Sequence, residues 1–313
     1  MKKAIIFGYH EIGCILIDEL EKHQIKVSLI IGDYRKHDNQ INSWYRDIRK
    51  LAKEKKITIK EKKNFLDNNT INLVKKQKPD LIFCAFTNFI LTDKIISIPK
   101  LGCYNFHNSD LPDDRGRGAP IFTLIKGKKR TALTMHHISK KIDMGDVVDK
   151  EKISIEKGDD IKRLYLKHNY ALKKILNRQL PKFKKNERLR GFSHSKKNIP
   201  INLWKDGKTD LLNFKSMNAT QIKNKVYALK YPFIGAKCVI GKKIVAIHDA
   251  EICKKKFKSN YKPGQIIDID NYNFIVKTKK GYIKIKELSY LGRHILPTHF
   301  SSIYKIKKLA IIK

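Results

Sequence analysis

Short, almost continuous apolar runs alternate along this chain with stretches whose apolar residues recur every three or four positions. Residues 3–8 (KAIIFG) form the first run and end on glycine, as a strand buried on both faces would. Ile12, Leu16 and Leu20 follow at helical spacing. Residues 26–31 predict a second strand, 43–55 a helix around Trp44, Ile48 and Leu51, and 57–59 a short strand. A helix is expected over 68–77, an apolar strand over 80–86, and another strand over 102–107. Ile161, Leu164, His168, Ala171 and Ile175 mark an amphipathic helix over 161–175. Strands alternating with helices predict an α/β fold, a Rossmann-like, mostly parallel sheet with helices on both faces.

The pattern changes in the last third. Residues 181–200 are basic and polar between Pro181 and Pro200, and read as a linker. A short helix is expected over 219–229. Candidate strands then cover 236–240, 243–249, 264–268, 273–277 and 282–288, with turn signals at Gly241, Pro263-Gly264 and Lys280-Gly281. Closely spaced short strands predict a small C-terminal β-barrel. The expected organisation is therefore a catalytic domain at 1–180, a linker at 181–200 and a barrel-like domain at 201–313.

Composition narrows the setting. No apolar run approaches the roughly 18 residues of a membrane span. The opening MKKAIIFGYHEIG has a basic end but neither a long apolar region nor a small-residue cleavage site, so a signal peptide is not expected. Five cysteines lie scattered without a C-x-x-C pair, which points to free thiols in a reducing, cytoplasmic compartment. The net charge of +38 admits a polyanionic partner. The lysines are spread along the whole chain, however, which favours a generally solvated basic surface over one binding stripe.

The chemistry gathers between Asn105 and Asp146. Asn105 and His107 are two apart on a strand, so they point to one face. An amide beside an imidazole can hold a developing oxyanion and move a proton. Asp143 is placed to orient or charge-balance that imidazole. Ser109 has no G-x-S-x-G elbow and supports the loop instead of attacking. Asp113 and Asp114 read as solvated loop residues. Of His136 and His137, one should face the pocket and the other the core or solvent. The local set is too small for a metal site. Gly8 and Gly13 lack the middle glycine of a dinucleotide fingerprint and read as a turn into the first helix.

Asn105, His107, Ser109, Leu111-Pro112, Arg115-Gly116, Pro120 and Asp143-Met144-Gly145-Asp146, in this order and spacing, resemble the signature of the folate-dependent formyltransferases. Tyr231-Pro232-Phe233-Ile234-Gly235-Ala236 and Pro263-Gly264 resemble that family's C-terminal domain, although relatives carry Arg where Tyr227 stands. The resemblance implies 10-formyltetrahydrofolate as co-substrate and no metal. It makes Asn105, His107 and Asp143 catalytic. It implies a folate slot lined by Phe86, Asn88, Phe89, Ile138 and Asp143, and contacts to the acceptor from Ser109, Arg115 and Arg117.

Two acceptors fit the resemblance. FGYHEIGC and SWYRDIRKLAKEKKI are similar to the branch that formylates nucleotide-linked amino sugars such as UDP-4-amino-4-deoxyarabinose. The two-domain layout and the charge fit the methionyl-tRNA branch. That branch carries a long basic insertion after the second strand, where this chain has the short, mixed GDYRKHDNQIN. A nucleotide sugar is therefore the expected partner, with initiator tRNA as the alternative. A non-catalytic RNA-binding module is disfavoured by the intact Asn-His-Asp set. The sequence leaves the oligomeric state open, a homodimer included.

Overall fold

The computed structural model of the chain describes residues 1–32, 45–61, 67–85, 87, 90–193, 201–202, 207–255, 257, 260–270 and 272–313. In chain order the elements are β1 (Lys3–Gly8), α1 (His10–Lys22), β2 (Lys26–Gly32), α2 (Ile48–Glu54), β3 (Ile59–Glu61), α3 (Asn68–Gln77), β4 (Leu81–Ala85), α4 (Asp93–Ile96), β5 (Gly102–His107), α5 (Ala119–Ile125), β6 (Arg130–His137), β7 (Val147–Ser154) and α6 (Ile161–Lys184). There follow α7 (Ala219–Ala228), β8 (Ala236–Ile240), β9 (Lys243–Cys253), β10 (Ile266–Asp270), β11 (Asn273–Lys277), β12 (Tyr282–Tyr290), β13 (Arg293–Ile295) and α8 (Pro297–Tyr304). The chain forms two compact units. One comprises Met1–Ala119, Lys129–Ile155 and Tyr165–Leu203, the other Pro120–Lys128, Glu156–Leu164 and Trp204–Lys313.

The first unit is built on a seven-stranded sheet in the order β3-β2-β1-β4-β5-β6-β7. The pairings up to β4–β5 are parallel, whereas β5–β6 and β6–β7 are antiparallel. Strand alternation assigns the two faces. Ile5, Phe7, Leu29, Ile31, Ile82, Cys84 and Cys103 share one buried cluster with Ile71 and Val74 of α3 and Ile95 of α4. On the other face Phe83 stacks on Phe106 at 5.9 Å between centroids, and Phe183 of α6 meets Phe83 at 6.2 Å and Tyr104 at 5.4 Å. Burying a phenylalanine such as Phe83 contributes roughly 1.5–3 kcal/mol. Asp67 starts α3 by accepting from the Thr70 amide at 2.7 Å.

Three features depart from the reading of the sequence. The helix expected over 161–175 runs on to Lys184 and contains Pro181 near its end. β7 carries Asp149, Lys150, Glu151 and Lys152 in its middle and shows no apolar alternation. It is one of the sheet's two edge strands, and Arg178 of α6 grips both Asp149 and Glu151, at 3.0 and 2.8 Å. The helix expected over 43–55 begins only at Ile48, and its stretch before residue 45 lies outside the described residues, as does most of GDYRKHDNQIN.

The second unit carries an antiparallel sheet in the order β10-β11-β12-β9-β8, with β13 on β12. Its two edges are not left open. Val239 of β8 and Lys313 exchange both backbone hydrogen bonds, at 2.7 and 2.8 Å, while Ile266 of β10 accepts from the Leu309 amide at 2.7 Å. The segment 309–313 thereby joins the edge strands, which removes unpaired edges as a barrel does. Asn218 and Gln221 form a capping box at the start of α7. No helix among the described residues is long and apolar enough to cross a membrane.

Gly8 ends β1 opposite Ala85 of β4, and a Cβ there would overlap the Ala85 carbonyl oxygen. Gly8→Ala should therefore push the strands apart where β1 turns into α1. The expected cost is about 2–3 kcal/mol, read as a lowered urea midpoint.

Candidate active site

β5 sets the phase of the site. Tyr104 and Phe106 turn to the aromatic face, while Cys103, Asn105 and His107 turn to the other. Antiparallel pairing with β6 then puts Asn105 opposite His136 and His107 opposite Thr134. The Asn105 Nδ2 lies 3.0 Å from His136 Nε2.

The loop after β5 wraps back on His107. Ser109 is fully buried and donates its hydroxyl to the Asp113 carbonyl at 2.7 Å, while Thr134 donates to the Ser109 carbonyl at 2.6 Å. Ser109 thereby ties the loop together through its hydroxyl and its carbonyl. Asp114 is corrected from solvated to buried. Its backbone sits at φ +51°, a left-handed conformation that Asp tolerates better than most residues, and its carboxylate accepts from Asn202 Nδ2 at 3.3 Å. The Asp114 carbonyl oxygen lies 3.0 Å from His107 Nε2. A carbonyl can only accept, so Nε2 carries a proton and Nδ1 is left to face the site.

Asp143 arrives from the turn after β6. That turn is tight because Gly145 packs on the strand itself, where a Cβ would overlap the His137 carbonyl oxygen. The His137 amide donates to the Asp146 carbonyl at 2.9 Å. Asp143 also adopts a left-handed φ, +50°. Its Oδ2 accepts from the Gly116 amide at 2.9 Å and stands 3.5 Å from His107 Nδ1, while its Oδ1 stands 3.6 Å from His136 Nε2. Burial pushes this carboxyl upward, but His107, His136, the Gly116 amide and Arg115 together hold it below its ordinary value. The site is thus a largely enclosed carboxylate between two imidazoles, with a side-chain amide beside one of them.

The structure brings Asn105, His107 and Asp143 together and adds His136, which the sequence left tied with His137. His137 lies against Tyr104 at 4.9 Å and donates from Nε2 to the Leu189 carbonyl at 3.0 Å, so it serves the fold. Arg115 is buried near Asp143, whereas Arg117 is exposed at the loop surface. Ile138 packs on the apolar cluster that holds Cys103, on the face shared with Asn105. Phe86, Asn88 and Phe89, expected to line the folate slot, lie outside the described residues.

Comparison with known proteins decides the family. Residues 1–180 match the formyl transferase family, and residues 206–301 match the formyl transferase C-terminal domain. The chain belongs to the formyl transferase family. It is 34% identical to the bifunctional polymyxin resistance protein ArnA of Wigglesworthia glossinidia brevipalpis across 99% of its own length, yet spans only 47% of that relative. It is 31% identical to the methionyl-tRNA formyltransferase of Malacoplasma penetrans, covering 94% of this chain and 90% of that one. In fold it is similar to the N-formyltransferase of Helicobacter canadensis, solved in complex with folinic acid and dTDP-3-aminofucose, with a TM-score of 0.68, 18% identity, and 91% and 99% of the two chains covered.

A carboxyl held below its ordinary value stabilises the fold above the usual carboxylate range and loses that contribution as pH falls through its depressed value. Wild type should accordingly be more stable than Asp143→Asn at pH 7. The difference in denaturant midpoint should begin to shrink as pH falls through roughly 4 and vanish only below the depressed folded-state value.

Proposed function

We propose that this member of the formyl transferase family moves a formyl group from 10-formyltetrahydrofolate to the amine of a nucleotide-linked amino sugar. The observation that carries formyl transfer is the Asn105–His107–Asp143 constellation in a chain whose residues 1–180 match the family. The site suits the donor. Polar groups gather at one end of β5, and Ile138, partly buried, packs against the apolar cluster on the same face. The donor supplies the formyl carbon; Phe86, Asn88, Phe89 and Ile138 are proposed to hold its ring.

In this reading, the acceptor nitrogen attacks the formyl carbon and negative charge grows on the formyl oxygen. The Asn105 amide and the His107 imidazolium receive that charge. His107 Nε2 is anchored on the Asp114 carbonyl, so Nδ1 is the working nitrogen. The gap of 3.5 Å between Nδ1 and Asp143 Oδ2 is wide for a hydrogen bond, so Nδ1 is not tied up by the carboxylate. The attacking amine loses a proton and the departing folate nitrogen gains one. The His107–Asp143 pair lies where that proton can pass. Arg115, buried beside Asp143, helps keep the carboxylate charged, and Arg117, exposed on the same loop, is the residue we propose to meet a phosphate.

The sugar reading is supported by the FGYHEIGC and SWYRDIRKLAKEKKI segments, by 34% identity to ArnA across 99% of the chain, and by the short segment between β2 and α2. Initiator methionyl-tRNA is the second reading, favoured by the net charge of +38 and by the Malacoplasma penetrans enzyme, of which the chain covers 90%.

The test is an assay with 10-formyltetrahydrofolate and two acceptor sets: UDP- and dTDP-linked amino sugars, and charged initiator tRNA. Formylation of a sugar nucleotide is expected, and formylation of tRNA alone would overturn that acceptor. Asn105→Ala and His107→Ala should each lower turnover by roughly 100- to 1,000-fold while remaining folded. Wild-type turnover in both would refute the catalytic assignment.

A further inference from the structure

His136 lies within the polar cluster, and its two ring nitrogens face different kinds of partner. Nδ1 lies 2.8 Å from the carbonyl oxygen of His137, which can only accept, so the ring's proton belongs on Nδ1. Nε2 is then a bare lone pair, and the group 3.0 Å from it is the Asn105 side-chain amide. A lone pair accepts only from the nitrogen end of an amide. The ring is 2% exposed, so water does not compete for either contact. Asp143 Oδ1, at 3.6 Å, is beyond hydrogen-bond reach of Nε2.

We propose that His136 is a positioning residue that fixes which end of the Asn105 amide faces the reacting carbon. The inference rests on the reading of Asn105 as an oxyanion donor and adds the reason why it donates. An amide has two nearly isosteric ends, one a donor and one an acceptor, and without a neighbour to choose between them half the orientations would turn a carbonyl oxygen toward the growing negative charge. His136 Nε2 takes one Asn105 N–H and thereby places the nitrogen. The second N–H remains for the formyl oxygen. The choice is made before substrate arrives, so no reorganisation is needed as charge develops. The sequence of connections that sets the amide begins in the backbone: the His137 carbonyl fixes the His136 proton, the proton fixes the lone pair, and the lone pair fixes Asn105. The antiparallel register that pairs Asn105 with His136 builds this relay into the sheet.

Two variants separate this role from simple packing. His136→Leu removes the acceptor at similar volume, and His136→Gln can still offer an oxygen to the amide. With 10-formyltetrahydrofolate and the acceptor the enzyme uses, His136→Leu should lower kcat by about 10- to 100-fold, less than the loss expected from deleting a donor outright, with KM for the folate changed little. His136→Gln should recover most of that loss. In an Asn105→Ala background, His136→Leu should have almost no further effect, because the group it positions is gone. Equal damage by Leu and Gln, or the same loss with and without Asn105, would overturn the proposal. Should His136→Leu fail to fold, the Gln variant and its double mutant with Asn105→Ala decide: a loss in His136→Gln that persists undiminished without Asn105 contradicts it. If wild type transfers no formyl group while both variants fold normally, the underlying reading of the site fails instead.

Discussion

One largely enclosed carboxylate holds this site together. Asp143 reaches three separate pieces of chain: the Gly116 amide in the loop after β5, His107 at the end of β5, and His136 on β6. Burial alone would favour the neutral acid, since a desolvated charge is costly. Two imidazoles, one amide and Arg115 reverse that preference and keep the group below its ordinary value. The surrounding geometry is arranged to deliver it. Gly145 permits a turn too close to β6 for any side chain, and two aspartates at left-handed φ, Asp114 and Asp143, bend the flanking loops into reach. Such conformations persist only where their neighbours over-determine them.

The same cluster shows how far local sequence reaches. Asn105 and His107 are two apart on a strand, so their common face follows from the pleat alone. Asp143 entered through its motif spacing. His136 could not be separated from His137, because alternation says that the two diverge without saying which one turns inward. That phase is set by the register of β6 against β5, a contact between residues 31 positions apart. Asp114 misled for a related reason. A charged loop residue next to another is ordinarily solvated, but Asp114 is buried and meets Asn202, a residue 88 positions away.

The fold was legible where burial is two-sided and obscure where it is not. β1 and β4 announce themselves as apolar runs because helices cover both faces. β7 is an edge strand with charges at its centre, answered by Arg178 and Lys174 of α6, and carries no apolar signature. The closure of the C-terminal sheet by 309–313 was likewise invisible, since it joins segments whose proximity no local pattern encodes. In that unit two lysines, Lys223 and Lys230, stand over the Tyr227 ring at 5.1 and 4.6 Å.

The most direct test of the account is the placement of two protons, readable by long-range ¹H–¹⁵N NMR of the histidine rings at neutral pH and above. The acceptor carbonyls of Asp114 and His137 predict that neutral His107 keeps its proton on Nε2 and that neutral His136 keeps its own on Nδ1. The opposite tautomer at either ring would contradict the arrangement of donors and acceptors from which the whole mechanism is built.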